Sequence, residues 1–163
     1  MPSLTDPTPA MQSFQDVLRQ GLPVERGRVD PNVGFYMDTD PRHAHSRFVY
    51  VYRDGLTVKA YACFVPYERQ EGSPVFAVGY AVPDAYRGHG LAKAVFAAGI
   101  AELRNGFSGH PPFFVEAIID TSNVASQHVA AAVLQISPQS ITDQVSGLPA
   151  LQYLRKFETG LTK

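Results

Sequence analysis

A single cysteine, Cys63, stands in 163 residues, so the chain forms no internal disulfide and builds no cysteine-based zinc cluster. Net charge is nearly absent too: 14 Lys and Arg against 15 Asp and Glu leave −1. Proteins that hold nucleic acid by bulk electrostatics are strongly basic, so only a local patch would remain for such a partner. Long hydrophobic runs are missing, and nothing approaches the ~20 apolar residues of a membrane span. Met1–Pro9 is polar, carries prolines and has no apolar signal core. There is no internal repeat and no low-complexity tract. These absences point to a single domain, 1–163, in the reducing cytoplasm. Charged residues are only 18 % and apolar ones 45 %, a balance that favours a packed core over disorder. What is plentiful is turn chemistry: 13 Gly and 13 Pro predict several short strands.

Apolar spacing then divides the chain. Met11, Phe14, Val17 and Leu18 predict a helix over Ala10–Gly21, stopped by Gly21 and Pro23. Leu22–Ser46 has three prolines, two glycines and one short apolar run, and is expected to be a long, substrate-side loop segment. Arg47–Arg53, Asp54-Gly55 and Leu56–Val65 read as a hairpin, Tyr67–Pro74 as a polar turn, and Val75–Val82 as a strand buried on both faces. Leu91–Leu103 carries a helical stripe ended by Asn105-Gly106. Phe113–Ile119 is a second buried strand, Asn123–Leu134 a helix that Asn123 or Ser122 can cap, and Ser140–Val145 with Pro149–Phe157 a terminal hairpin. The fold class is α/β (α+β), a single mixed, mostly antiparallel sheet with helices packed on it.

The chemically informative stretch is the junction Arg87-Gly88-His89-Gly90-Leu91-Ala92, between a buried strand and a helix. Glycines there let a ligand approach the backbone, and the helix N-terminus offers unpaired N–H groups and partial positive charge to a phosphate. A dinucleotide fingerprint is excluded, because Lys93 occupies the third glycine position and a loop intervenes; the G-x-x-x-x-G-K-[ST] phosphate loop is absent.

Arg87-x-x-Gly90-x-Ala92, with Gly79-Tyr80-Ala81-Val82-Pro83 before it, resembles the R/Q-x-x-G-x-G/A signature of the GNAT superfamily of acyl-CoA-dependent N-acetyltransferases. Glu116-Ala117 and Asn123-Val124-Ala125-Ser126 resemble the E-A…N-x-A-S pattern of its ribosomal-protein (Rim-type) branch. The likeness covers 75–134. It implies that two parallel strands, Val75–Val82 and Phe113–Ile119, splay apart around acetyl-CoA as acyl donor, with no metal. Pantetheine would pair with the main chain of Tyr80, Ala81 and Val82. The pyrophosphate would sit on N–H groups of Arg87, Gly88, His89, Gly90, Leu91 and Ala92, and Asn123 and Ser126 would face the thiol end. An amine would attack the thioester directly, through a tetrahedral intermediate whose oxyanion a backbone N–H near Val82 could meet.

Two positions depart from the pattern. Where many relatives carry a basic glutamate this chain has Ala77, and where many carry an acidic tyrosine it has Ala130. Glu116, alone in an apolar strand, is then the candidate base, since burial raises a carboxyl pKa, or else a strand carboxylate paired with an arginine. Ser126 is the candidate donor to the departing thiolate, or a local cap, and His128 a relay or a solvent-facing residue. His43 and His45 have metal-ligand spacing without a third ligand; Arg42, Arg47 and Arg53 could meet an acidic substrate or solvent. Phe48, Tyr50, Tyr52 and Tyr61 read as sheet packing. Cys63 lies outside the motifs, so transfer is expected without an acyl-cysteine. Exposed strand edges would allow a homodimer. A catalytically silent CoA-binding or protein-interaction module, motivated by Ala77 and Ala130, is the other function class, and a nucleic-acid-directed acyltransferase a third that the charge disfavours.

Overall fold

A computed structural model describes residues 6–42, 46–144 and 146–159. The elements run α1 (Thr8–Arg19), β1 (Glu25–Arg26), β2 (Gly34–Asp38), β3 (Arg47–Asp54), β4 (Thr57–Gln70), β5 (Ser73–Ala81), α2 (Leu91–Gly106), β6 (Phe113–Asp120), α3 (Val124–Leu134), β7 (Gln139–Thr142) and β8 (Pro149–Phe157). They form one eight-stranded sheet in the order β1-β2-β3-β4-β5-β6-β8-β7. Every pairing is antiparallel except β5 with β6, the mixed sheet expected from the sequence.

Period-2 patterning gives the sheet two apolar faces. On one, Tyr50, Ala62, Phe64, Phe76, Val78, Val115 and Ala117 pack with Val95, Phe96, Ile100 and Leu103 of α2 and Ala130 and Leu134 of α3. On the other, Met11, Phe14 and Leu18 of α1 cover Val49, Val51, Val58, Tyr61 and Cys63. The main core is aromatic. Phe76 meets Phe48 and Phe113 edge-on at 5.5 Å, and Phe64 lies edge-on to Tyr50 at 5.8 Å, geometry that adds to simple burial. The helix–sheet approach depends on Gly99: a Cβ there would stand 2.5 Å from Phe64 Cε1.

Two stretches differ from the sequence expectation. The segment 22–46 holds β1 and β2 rather than loop alone. Its strand, GFYMD, pairs with β3 from Gly34↔Val51 to Asp38↔Arg47, and two strands, β3 and β4, lie between it and β5. Tyr67–Pro74 is not a polar turn: β4 runs on to Gln70 and turns at Glu71-Gly72. Its last residues are polar because Glu68–Gln70 are exposed, not because they leave the ladder. His43 and His45 lie outside the described residues.

A buried acid ties the fold together. Glu102 of α2, 8 % exposed, accepts from the main-chain N–H groups of Arg28, Val29 and Asp30, each at 2.8 Å. Tyr52 donates to Asp30 at 2.9 Å, which fixes the same loop to β3.

Candidate active site

β5 and β6 are paired over three residues only: Val75 with Phe114, Phe76 with Val115, and Ala77 with Glu116. Beyond that rung β5 stays bonded to β4 and β6 to β8, so the two strands part. A cleft of about 290 Å³ opens between them, with Val78, Gly79 and Tyr80 on one wall and Ala117, Ile118 and Ile119 on the other. Among the described residues the β5 edge facing this cleft has no strand partner past Ala77. Unpaired main-chain N–H and C=O groups are costly to bury, so a ligand with amide groups of its own is a fitting occupant.

A groove of about 750 Å³ runs from the cleft to the start of α2, lined by Tyr80–Val82, Arg87, Gly88, Gly90–Lys93, Asn123 and Ser126. At its far end the chain turns through Gly88 (φ +82°) and Gly90 (φ +74°), the residue before α2. Both conformations favour glycine, and open space lies where either Cβ would stand. The first bond within the helix is from Ala94 N–H to Gly90 O at 3.1 Å. The N–H groups of Leu91, Ala92 and Lys93 therefore have no partner in the preceding turn, and with the helix dipole they favour an anion. Among the described residues no side chain caps them.

The Arg87 side chain braces this loop. Its Nε donates to Val82 O at 3.1 Å and its Nη1 lies 3.1 Å from Asp84 Oδ1, an exposed pair that contributes little to stability. His89 is exposed and lines neither the groove nor the cleft, and His128 is exposed on α3.

Groove and cleft share Asp6, Pro7, Tyr80, Asn123 and Ser126. Asn123 caps α3 by accepting from Ser126 N–H at 3.1 Å, as the N-x-A-S spacing suggests. The Tyr80 hydroxyl donates to Ser126 O at 2.9 Å and lies 2.9 Å from Ser126 Oγ. Its ring stacks on Phe96, with centroids 5.1 Å apart. Burial pushes the Tyr80 phenol up to about 12, against the opposite pull of the Ser126 bond. The phenol therefore stays protonated at neutral pH. Ala81 and Val82 are buried beside it, and Ala130 is wholly buried in the main core.

Glu116 stands on the last paired rung, just before the strands part. Phe113, Val115, Ala117 and Ile119 face the α2 and α3 side, so Glu116 faces the α1 side, on one rung and one face with Ala77. The carboxylate that the resemblance places in β5 thus stands one strand over, directly opposite. Glu116 is 2 % exposed. Its partners are neutral rather than an arginine: the Tyr67 hydroxyl donates to Oε1, and Gln152 Nε2 donates to Oε2 at 2.5 Å. Burial, reinforced by the bond to Glu116, holds the Tyr67 phenol well above its ordinary range.

Sequence reasoning missed Tyr67 and Gln152. Neither carries a local signal, since the bonds span 49 and 36 residues. Among the described residues no group of three or more His, Cys, Asp and Glu side chains could hold a metal ion, and no helix is long and apolar enough to cross a membrane.

Comparison with known proteins matches this architecture. No curated protein sequence matches the chain. Among solved structures, yncA from Salmonella typhimurium, described with its cofactor acetyl-CoA, superposes with a TM-score of 0.55 at 18 % identity, over 72 % of this chain and 68 % of that one. RimL, a ribosomal L7/L12 alpha-N-protein acetyltransferase in complex with coenzyme A, gives 0.54 at 15 % identity, over 70 % of this chain and 64 % of that one. A ribosomal-protein-alanine N-acetyltransferase from Brucella melitensis gives 0.51 at 19 % identity, over 95 % and 81 %. At these identities the likeness is one of fold. The model of the acetyltransferase (GNAT) family matches residues 11–134, which run from within helix α1 through the parting strands and the glycine junction to the end of α3, and the chain belongs to that family.

Proposed function

We propose that the protein transfers an acetyl group from acetyl-CoA to a primary amine, in the cleft between β5 and β6. The observation that carries this is the continuity of cleft and groove at Tyr80 and Ser126, with an uncapped helix N-terminus at one end, and a buried carboxylate, Glu116, on the last rung before the strands part. The residues present suit the donor. The N–H groups of Gly88–Ala92 would take the pyrophosphate, and the free edge of β5 from Tyr80 to Val82 would take the pantetheine amides. Asn123 and Ser126 would flank the thioester. Bound there, acetyl-CoA supplies an activated acyl carbon.

The chain's own groups do the rest. The amine enters from the α1 side, where Glu116 provides the carboxylate for its proton, and its nitrogen bonds to the thioester carbon. Ser126 Oγ, held against the Tyr80 hydroxyl, is the donor for the departing sulfur. Cys63 is buried under α1, which favours transfer without an acyl-cysteine. The E-A…N-x-A-S motif favours the Rim-type branch, so a peptide α-amine heads the acceptor panel, followed by lysine, polyamine and aminoglycoside amines.

The test is thiol release from acetyl-CoA across that panel, with Glu116→Gln and Ser126→Ala beside the wild type. Amine-dependent release, reduced in Glu116→Gln by roughly 100-fold or more, is expected of a general base. Tight CoA binding without release on any amine would instead favour the silent module suggested by Ala77 and Ala130.

A further inference from the structure

We propose that Tyr67 is the group that receives the acceptor amine's proton, passing its own phenolic proton to Glu116. This rests on the acetyl-transfer function proposed above and goes beyond it in naming the atom that meets the amine.

Four observations lead there. Glu116 is 2 % exposed and both its oxygens are engaged, one by Tyr67 and one by Gln152. An incoming amine therefore finds no open carboxylate oxygen. Tyr67 is only partly buried. Its hydroxyl gives its one hydrogen to Glu116 and keeps lone pairs that can accept from an N–H. The β4–β5 register shifts between Pro66 and Glu68, so Tyr67 is the extra residue of a bulge, a device that re-aims a side chain and is common beside active sites. Finally, Tyr67 starts on β4 and reaches Glu116 on β6, so its side chain crosses β5, in the row where Val65, Ala77 and Glu116 are paired. A small residue at position 77 leaves room for that crossing. Ala77 and the buried Glu116 are then two halves of one arrangement.

The step balances without another reactant. As the amine nitrogen bonds to the thioester carbon, it becomes a substituted ammonium. One of its protons moves to Tyr67 Oη while the phenolic proton moves to Glu116 Oε1. Tyr67 ends neutral and Glu116 ends as the acid. The oxyanion then re-forms its carbonyl as the carbon–sulfur bond breaks, and the thiolate leaves hydrogen-bonded to the Ser126 hydroxyl; Glu116 gives its proton to solvent and solvent protonates the thiolate, so one proton has passed from amine to thiol.

The experiment measures thiol release from acetyl-CoA, with and without butylamine, for wild type, Tyr67→Phe, Glu116→Gln and the double variant. Thermal melts and acetyl-CoA titrations check that each variant folds and binds. The expected result is a fall in kcat of roughly 100-fold in Tyr67→Phe, similar to Glu116→Gln, with the double variant no worse and the acetyl-CoA Kd unchanged. Release without butylamine, where water replaces the amine, should fall in parallel. A Tyr67→Phe kcat within twofold of wild type, with Glu116→Gln still impaired, overturns the relay and leaves acetyl transfer standing. Wild-type release no faster than the uncatalysed reaction, with butylamine and with every amine of the acceptor panel, overturns the relay and acetyl transfer together. If Tyr67→Phe melts early, Tyr67→Trp and Glu116→Asp take its place, and wild-type kcat in a folded Tyr67→Trp overturns the relay.

Discussion

Replacing Gly90 by aspartate and, separately, by asparagine places one negative charge, or none, at the start of α2. Gly90 sits at φ +74°, with nothing within 4 Å of where its Cβ would stand. Asn and Asp both tolerate that conformation, so their backbone cost is shared and cancels in the comparison. Both residues also cap helices well, and Asp complements the helix dipole, so neither variant should unfold. Their difference is electrostatic. With a carboxylate about 5 Å from a bound phosphate, 332/(εr) gives roughly 0.8 kcal/mol per phosphate charge in water and roughly 3 at ε of about 20. Each 1.4 kcal/mol is about tenfold in Kd. Calorimetric titration of acetyl-CoA at low ionic strength should therefore show Gly90→Asp binding about tenfold or more weaker than Gly90→Asn. The gap should narrow at high salt, as the groove is open to screening. Equal affinities at low salt would refute a pyrophosphate site on these N–H groups.

Three further outcomes follow from the fold. Glu102→Ala leaves the N–H groups of Arg28, Val29 and Asp30 unpaired under α2. Such bonds to a charged group contribute about 1.5–3 kcal/mol each and are not additive, so denaturant unfolding should register a loss of about 3–5 kcal/mol. Gly99→Ala drives a methyl to 2.5 Å from Phe64 and 3.1 Å from Tyr50. It should lower stability by about 1–3 kcal/mol despite alanine's better helix propensity, which a melting curve will show. Burial pushes the Cys63 thiol up from 9.0 to about 11. It should resist Ellman's reagent at pH 8 until the protein unfolds, because the thiolate is the nucleophile. The folded pKa lies above the unfolded one, so this contribution to stability is complete below pH 9 and is lost as pH rises through about 11. Its size is roughly 2–3 kcal/mol, and Cys63→Ala should flatten the slope over that window.

The parts of the site that were legible are those whose chemistry is local. Gly88 and Gly90 announce a turn into a helix because only the backbone there decides. Asn123 and Ser126 announce a cap because the bond spans three residues. The long helix α2 and the buried strands β5 and β6 read correctly because their apolar patterns are long. Short or polar elements did not. GFYMD has five residues among prolines and becomes a strand only by pairing with β3. Glu68–Gln70 look like a turn in composition but keep their ladder bonds to β5. Glu102 carries no local signal, because its partners lie 72 to 74 residues away in sequence. The environment of Glu116 was likewise invisible. An apolar strand with one carboxylate suggests burial, but only the bulge at Tyr67 and the register of β8 bring in its two donors.

Amide-resolved NMR titration with acetyl-CoA tests the central claim most directly. Saturating ligand should shift and protect the main-chain N–H groups of Tyr80–Val82, Gly88–Ala92 and Asn123–Ser126. Little should change along β2, β3 and α1. Perturbation confined to those latter elements, or no perturbation at Gly88–Ala92, would contradict the assignment of groove and cleft as the acyl-donor site.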